Sequence, residues 1–351
     1  MFRMLAAIAA CASLAAFAAD DPAPKEGLYV ARDFRFHTGE VLPEVKLAYR
    51  TIGDPSGEPV LVLHGTAGSG ASMLTPAFAG ALFGPGQPLD AARYFIILPD
   101  AVGHGKSSKP SDGLRMKFPK YDYDDMVEGH HRLLTEHFKL KHLRMVIGNS
   151  MGGMETWIYA QKHPAFMDIA VPMACLPVPM GSRNWMMRRI IIDGIRNDPD
   201  WKGGDYTQQP KGARIGTAFY QMVSNGGNFG WYKVAPTREK ADAALDTRLN
   251  APFPADANDV LYQWESSADF DPSAGLEKIR ATLLAINAAD DERNPAELGF
   301  MDREIKRVPR GRAMLIPAGP ETTGHGTTGS AKWYAKELAQ LLRDAPRLPA
   351  E

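Results

Sequence analysis

Short apolar runs and longer amphipathic segments alternate along most of the chain. The apolar runs lie at residues 29–36, 45–52, 59–63, 94–98, 145–147, 169–174, 281–286 and 312–316. Those from residue 59 onward contain few polar positions, as is typical of strands buried on both faces of a parallel sheet. Helical segments are predicted between them at residues 122–138 and 154–162, with a last one at 329–343. This order predicts an α/β fold with a doubly wound, mostly parallel sheet.

The alternation stops at residue 177 and resumes near residue 270. The intervening sequence lacks clear strands and contains one helical segment, residues 185–196, and a Gly/Asn-rich loop, residues 224–228. We therefore predict a core formed by residues 19–176 and 271–351, with a mainly helical lid, residues 177–270, inserted after the sixth strand.

The lid contains large apolar residues that either line an acyl pocket or pack among the lid helices. They are Met180, Trp185, Met186, Met187, Trp201, Phe229 and Trp231. We interpret the neighbouring pair Arg188-Arg189 as solvated charges rather than ligands.

Composition and charge exclude several classes of protein. The 351 residues are 44% hydrophobic, and the formal net charge of −1 argues against nucleic acid or an anionic membrane surface as the partner. Residues 1–18 combine a basic start at Arg3, an Ala-rich apolar run and a small-x-small site, which predicts a signal peptide cut after Ala18. We expect a periplasmic or secreted protein with no stable membrane span.

Candidate chemistry centres on a G-x-S-x-G sequence, Gly148-Asn-Ser150-Met-Gly152. It follows a short apolar strand and precedes a helical segment, the context in which this motif forms a nucleophile elbow. The turn would hold Ser150 at the N-terminus of the helix, where developing negative charge is best accommodated.

A serine nucleophile needs a base, and the base needs an orienting acid. Asp290 and Asp291 follow the run at residues 281–286, and His325 follows the run at residues 312–316. The order serine, aspartate, histidine is that of a Ser-His-Asp triad on an α/β-hydrolase sheet. We favour Asp291 as the acid because it begins an Asp-x-x-x-Pro sequence ending at Pro295, and Asp290 stays the alternative.

The remaining parts of such a site are backbone donors. We predict that the N–H groups of Met151 and Thr66 form the oxyanion hole, with His64 fixing the Thr66 loop. No His or Cys spacing is typical of a metal site, so we predict neither a metal nor a cofactor.

These residues resemble the α/β-hydrolase superfamily across essentially the whole mature chain. The resemblance includes His64-Gly65, the loop at residues 103–107, the elbow, the Asp291 sequence and Gly324-His325. Within the superfamily, the lid sequence at residues 198–206 and 210–214 is similar to that of the homoserine O-acetyltransferase branch.

The chain departs from that branch in its elbow and at the positions with which the branch binds homoserine. The branch has glycine where this elbow has Asn149, and an aspartate where this chain has Gly326. Its substrate-binding arginine would correspond to Ile192, with Arg188 and Arg189 about one turn earlier.

We therefore predict an exported serine hydrolase that cleaves a carboxylic ester or related acyl compound, with a small acyl compound as its partner. An O-acyltransferase of the homoserine O-acetyltransferase type is the alternative, and a binding protein that keeps the fold without catalysis is a third. The sequence leaves the oligomeric state open, a homodimer being one outcome.

Overall fold

One eight-stranded sheet organises the molecule. The computed structural model describes residues 23–349, and the predicted signal segment lies outside this range. The strands are β1 (Lys25–Arg35), β2 (Val41–Ile52), β3 (Glu58–Leu63), β4 (Tyr94–Pro99), β5 (Leu143–Asn149), β6 (Met167–Met173), β7 (Thr282–Ala288) and β8 (Gly311–Ile316). Their order across the sheet is β1-β2-β4-β3-β5-β6-β7-β8. The β1–β2 and β2–β4 pairs are antiparallel and the others are parallel, so the predicted mostly parallel sheet is confirmed.

Helices cover both faces of this sheet. The α-helices are α1 (Ala79–Leu82), α2 (Tyr123–Arg132), α3 (Met151–Lys162), α4 (Ser182–Arg196), α5 (Lys211–Ser224), α6 (Gly227–Val234), α7 (Arg238–Asn250), α8 (Ala257–Glu265), α9 (Phe300–Glu304) and α10 (Ala335–Asp344). Apolar residues of α2 and α3 share one buried cluster with the sheet, and those of α1 and α10 share a second. The central strand β5 contributes side chains to both clusters, since Val146 belongs to the first and Met145 and Ile147 belong to the second.

The insertion between β6 and β7 contains five helices, α4 to α8, rather than the single segment expected. Helices α4, α5 and α8 surround a separate apolar cluster that includes Ile191, Tyr220 and Trp264, whereas α6 and α7 have no buried residue among those described. Helices α4 and α5 approach so closely that a Cβ on Gly212 would lie 1.8 Å from the carbonyl oxygen of Gly194. Glycine at this crossing lets the two backbones touch.

Helix ends differ from the predicted ones. The last helix begins at Ala335 instead of residue 329, because 3₁₀ turns at Thr327–Gly329 and Ala331–Trp333 precede it. Helix α2 gives way to a π-helical turn, Leu133–His137. Within residues 23–349, no helix has the length and apolar character needed to cross a membrane.

Candidate active site

Ser150 lies in a sharp turn between β5 and α3. Its φ of 58° and ψ of −112° are unfavourable for a residue with a side chain. A Cβ at Gly148 would lie 2.0 Å from the carbonyl oxygen of Gly152, and one at Gly152 would lie 2.4 Å from that of Leu63. Glycine is therefore required on both sides of the serine, and the turn holds Ser150 at the positive end of α3.

Ser150, His325 and Asp291 form a continuous hydrogen-bonded chain. Nε2 of His325 lies 2.8 Å from Ser150 Oγ, and Nδ1 lies 2.8 Å from Asp291 Oδ2. Burial lowers the pKa of His325, and the charge of Arg293 lowers it further, whereas Asp291 acts in the opposite direction. The imidazole is therefore neutral near pH 7, so Nε2 can accept the proton of the serine hydroxyl.

The two neighbouring aspartates have different partners. Asp291 Oδ1 accepts the backbone N–H of Arg293 at 2.9 Å, and Oδ2 accepts the side-chain amide of Asn294 at 2.9 Å. Burial opposes ionisation of Asp291, but His325 and the hydrogen bonds outweigh it and lower the pKa. Asp290 points to another loop, where its Oδ2 accepts Thr322 Oγ1 at 2.7 Å and the Gly324 amide at 3.1 Å. Asp290 thus fixes the loop that carries His325, and only Asp291 contacts the imidazole.

The predicted oxyanion donors lie beside the serine. Met151 is the first residue of α3, where an N–H has no partner within the helix. The loop with Thr66 is adjacent, because a Cβ at Gly65 would lie 3.5 Å from Ser150 Cβ. The Gly152 amide donates to the carbonyl of His64 at 3.0 Å and fixes the loop against the helix.

His64 holds this loop in place through both ring nitrogens. Its Nε2 accepts the Ala101 amide at 3.1 Å, and Nδ1 lies 2.8 Å from the carbonyl oxygen of Gly65. Since Nε2 is an acceptor, the neutral ring carries its proton on Nδ1 and donates it to Gly65. Burial lowers the pKa of His64, which favours this neutral form.

Asn149, the residue that departs from the resembling branch, joins the elbow to the histidine loop. Its Oδ1 accepts a hydrogen bond from Thr328 Oγ1 at 2.6 Å. The insertion contacts the same loop, because the His325 amide donates to the Ser224 carbonyl at 3.1 Å and the Gly226 amide to the Thr323 carbonyl at 2.8 Å. His325 therefore lies against the end of α5, and both Ser150 and His325 are buried.

Two arginines near His325 were missed as site residues. Arg188 is fully buried on α4 and donates to Asn184 Oδ1 at 3.0 Å and Ser267 Oγ at 3.1 Å, so its interpretation as a solvated charge is wrong. Arg293 follows the acid and lies over the ring of Tyr220, 4.2 Å from its centroid. The predicted equivalent of the branch's arginine, Ile192, is buried in the apolar cluster of the insertion. No sequence spacing distinguishes these arginines from surface ones.

A group of buried polar atoms with poorly aligned partners lies near the Thr66 loop. Among the described residues, the Tyr123 hydroxyl interacts with Thr66 Oγ1 and Arg188, but none of these contacts has the geometry of a good hydrogen bond. Buried polar groups usually make well-formed bonds, so such a group is typical of a site that completes its hydrogen bonds with a bound molecule or water.

The lid's apolar residues separate into groups. Met180 lines a cavity next to Asn294, whereas Trp185, Met187 and Trp201 pack in the insertion's own cluster. Met186 and Phe229 are mainly exposed, at 68% and 55%.

One group in the described part of the chain has metal-ligand geometry, His37 with Asp122 and Asp125. Its carboxylates already accept hydrogen bonds from the backbone of His37 and from the backbone at the start of α2. It therefore gives no reason to revise the expectation of a metal-free site, which stays a prediction.

Comparison with known proteins agrees with this architecture. A family model described as the alpha/beta hydrolase fold matches residues 58–206. A probable acyltransferase from Methanothermobacter thermautotrophicus is 29% identical over 81% of this chain and 88% of its own length. A homoserine O-acetyltransferase from Haloferax prahovense is 28% identical over 72% of this chain and 71% of its own length. The solved structure of the acetyl esterase MekB superposes with a TM-score of 0.76 at 23% identity, covering 91% of this chain and 97% of that one.

The fold and these relatives define an enzyme of the α/β-hydrolase type. Within that type, the chain resembles the homoserine O-acetyltransferase branch, as its lid sequence predicts.

Proposed function

We propose that the protein is a serine hydrolase that cleaves a carboxylic ester or related acyl compound through an acyl-enzyme. The observation that carries this proposal is the chain of two 2.8 Å contacts from Asp291 through His325 to Ser150. Each member is buried, which excludes bulk water and strengthens the electrostatic interactions among them.

In the proposed first step, Ser150 Oγ attacks the carbonyl carbon while His325 Nε2 takes the hydroxyl proton. The negative charge that develops on the carbonyl oxygen is stabilised by the N–H groups of Met151 and Thr66. The tetrahedral intermediate collapses as His325 gives its proton to the leaving alcohol, which leaves the acyl group on Ser150. Asp291 keeps the imidazole oriented and stabilises its charged form.

In the second step, water replaces the alcohol. His325 removes a proton from water, the hydroxide oxygen bonds to the acyl carbon, and Ser150 leaves with the proton returned by His325. The products are the free acid and the regenerated enzyme, so no external cofactor is needed.

An O-acyltransferase is the second candidate, favoured by the acyltransferase names of the sequence relatives, by the burial of Ser150 and by the contact of the insertion with the His325 loop. Exclusion of water would let an alcohol or amine take the acyl group instead. Gly326 weighs against homoserine as this acceptor, because the resembling branch has an aspartate there.

The test measures how much of the acyl group is transferred to water and how much to an added acceptor. We expect p-nitrophenyl acetate to release acetate at a rate that homoserine and other alcohols do not reduce. Acylated acceptor formed at the expense of acetate would establish transfer. Release of p-nitrophenol by Ser150→Ala at the wild-type rate would remove the hydrolase proposal.

We also propose export of the enzyme, supported by the signal-like pattern of residues 1–18. Expression of the full chain in a Gram-negative host should yield a periplasmic protein whose N-terminus begins at Ala19. A cytoplasmic protein that retains Met1 would contradict this.

A further inference from the structure

Arg293 is a buried cation without a polar partner. The residue is 9% exposed, and its Nε is buried with no hydrogen-bond acceptor among residues 23–349. Its guanidinium lies over the face of Tyr220 and makes no direct ion pair with a described carboxylate, although the Asp291 carboxylate attracts it at longer range. Guanidinium groups stay charged in proteins, and burying one without hydrogen bonds is costly.

A second buried cation, Arg188, lies near the same imidazole, so two positive charges face the single negative charge of Asp291. Arg188 has its Nε and Nη1 bonded to neutral oxygens, and its further interactions are with the neutral hydroxyls of Tyr123 and Tyr220. Each arginine disfavours the charged form of His325. Asp291 is the carboxylate in contact with this imidazole, and its oxygens are occupied by His325, Asn294 and a backbone amide. The site therefore has room for negative charge from outside the protein.

Arg293 also borders a cavity whose wall reaches Asn294, the hydrogen-bond partner of Asp291, but does not include a triad residue. The cavity has a volume of about 530 Å³ and is lined by apolar side chains that include Met154, Met180 and Phe270. Met154 is one helical turn after Ser150, and Asn294, which bonds Asp291, is also in the wall. The cavity's other arginines, Arg183, Arg303 and Arg307, are all paired with glutamates. Among the described residues that form the wall, Arg293 is thus the cation still available to a ligand.

We propose that the ester substrate carries a carboxylate on its acyl or alcohol part, and that this carboxylate binds Arg293 while the hydrocarbon chain lies along Met154, Met180 and Phe270. A carboxylate would accept paired hydrogen bonds from the guanidinium and neutralise it. That the bound molecule is an ester substrate rests on the proposed hydrolase function, whereas the binding of a carboxylate to Arg293 does not.

The first experiment therefore measures binding without turnover. Short aliphatic dicarboxylates of increasing length, and their neutral diamides, are titrated calorimetrically into Ser150→Ala protein. We expect at least one dicarboxylate to bind and its diamide to bind roughly tenfold or more weakly. The double variant with Arg293→Met should lose this preference, whereas the double variant with Arg189→Met should keep it. Arg189 is the matched control because it is an exposed arginine of α4 paired with Asp193.

The second experiment measures selectivity in the active enzyme. The ratio of kcat/KM for p-nitrophenyl hemisuccinate to that for p-nitrophenyl butyrate tests a carboxylate on the acyl side. The same ratio for O-acetylglycolate and the monoacetate of ethylene glycol tests the alcohol side. Arg293→Met should reduce at least one ratio by roughly 10- to 100-fold, and Arg293→Lys should retain part of it.

Several results would overturn the proposal. They are equal binding of dicarboxylates and diamides, no binding of either, or selectivity ratios that Arg293→Met leaves unchanged while only the pH profile moves. If no ester is turned over but dicarboxylate binding depends on Arg293, the hydrolase proposal fails and the anion site stands. If esters are turned over without preference for a carboxylate and dicarboxylates do not bind, the hydrolase proposal stands and the anion site fails.

Discussion

Asp290 and Asp291 differ by one position, yet their exchange for asparagine should have very different effects. In Asp291→Asn, the amide oxygen can replace only one carboxylate oxygen, and Asp291 accepts bonds on both. If the oxygen keeps the Arg293 amide, the new NH₂ faces His325 Nδ1 and the ring must carry its proton on Nε2. That nitrogen then cannot accept the Ser150 proton.

We expect kcat for p-nitrophenyl acetate to fall by about 10⁴-fold in Asp291→Asn, as in other triads with a forced tautomer. This corresponds to roughly 5 kcal/mol of lost transition-state stabilisation. Asp290→Asn loses charge-assisted bonds from Thr322 Oγ1 and the Gly324 amide, which hold the His325 loop but do not contact the ring. It should lower the free energy of unfolding by about 1–3 kcal/mol and kcat by no more than about tenfold.

The assay is steady-state hydrolysis at saturating ester, with chemical denaturation of both variants to separate lost activity from lost fold. A large loss of kcat in a well-folded Asp290→Asn protein, together with an active Asp291→Asn protein, would refute the assignment of the acid.

Three further predictions follow from the same geometry. As pH increases, kcat/KM should rise with a midpoint below the ordinary histidine pKa, because burial and Arg293 lower the pKa of His325. Arg293→Met removes a positive charge and should shift this midpoint to higher pH. An unchanged or lower midpoint would contradict this. Arg293→Met should also raise the free energy of unfolding by about 1 kcal/mol or more, since it removes an unpaired buried charge, and a less stable variant in urea denaturation would count against the charge being uncompensated. Gly152→Ala should destabilise the protein by about 1–3 kcal/mol because its Cβ would meet the Leu63 backbone, whereas Gly319→Ala, which meets nothing within 4 Å, should stay within about 0.5 kcal/mol; equal melting curves would disprove the close approach.

The sheet could be predicted because its central strands are continuous apolar runs, and the elbow because two glycines flank a serine between strand and helix. The insertion could not be predicted in detail. Helix α7 has no buried residue among those described, so its sequence shows no apolar periodicity, and α6 is a short helix in Gly-rich sequence. Helix α5 does have an apolar face, with Ala213 and Tyr220 buried, but Gly212 and Gly216 lower its helix propensity.

The same reason explains what was missed at the site. Ser150, Asp291 and His325 lie at strand ends, where sequence order predicts convergence. Arg188 and Arg293 are buried only because the insertion folds over them and places Tyr220 against Arg293. A doublet such as Arg188-Arg189 looks like a surface sequence until the helix orientation separates the buried arginine from the exposed one.

The central claim is that Ser150 forms the acyl-enzyme, and intact-protein mass spectrometry after rapid acid quenching tests it directly. Wild-type protein mixed with excess p-nitrophenyl acetate should gain the mass of one acetyl group, and peptide fragmentation should locate the group on Ser150. Ser150→Ala should gain none. Hydrolysis by the wild type with no acyl group on Ser150, or an equal mass gain in Ser150→Ala, would contradict the account.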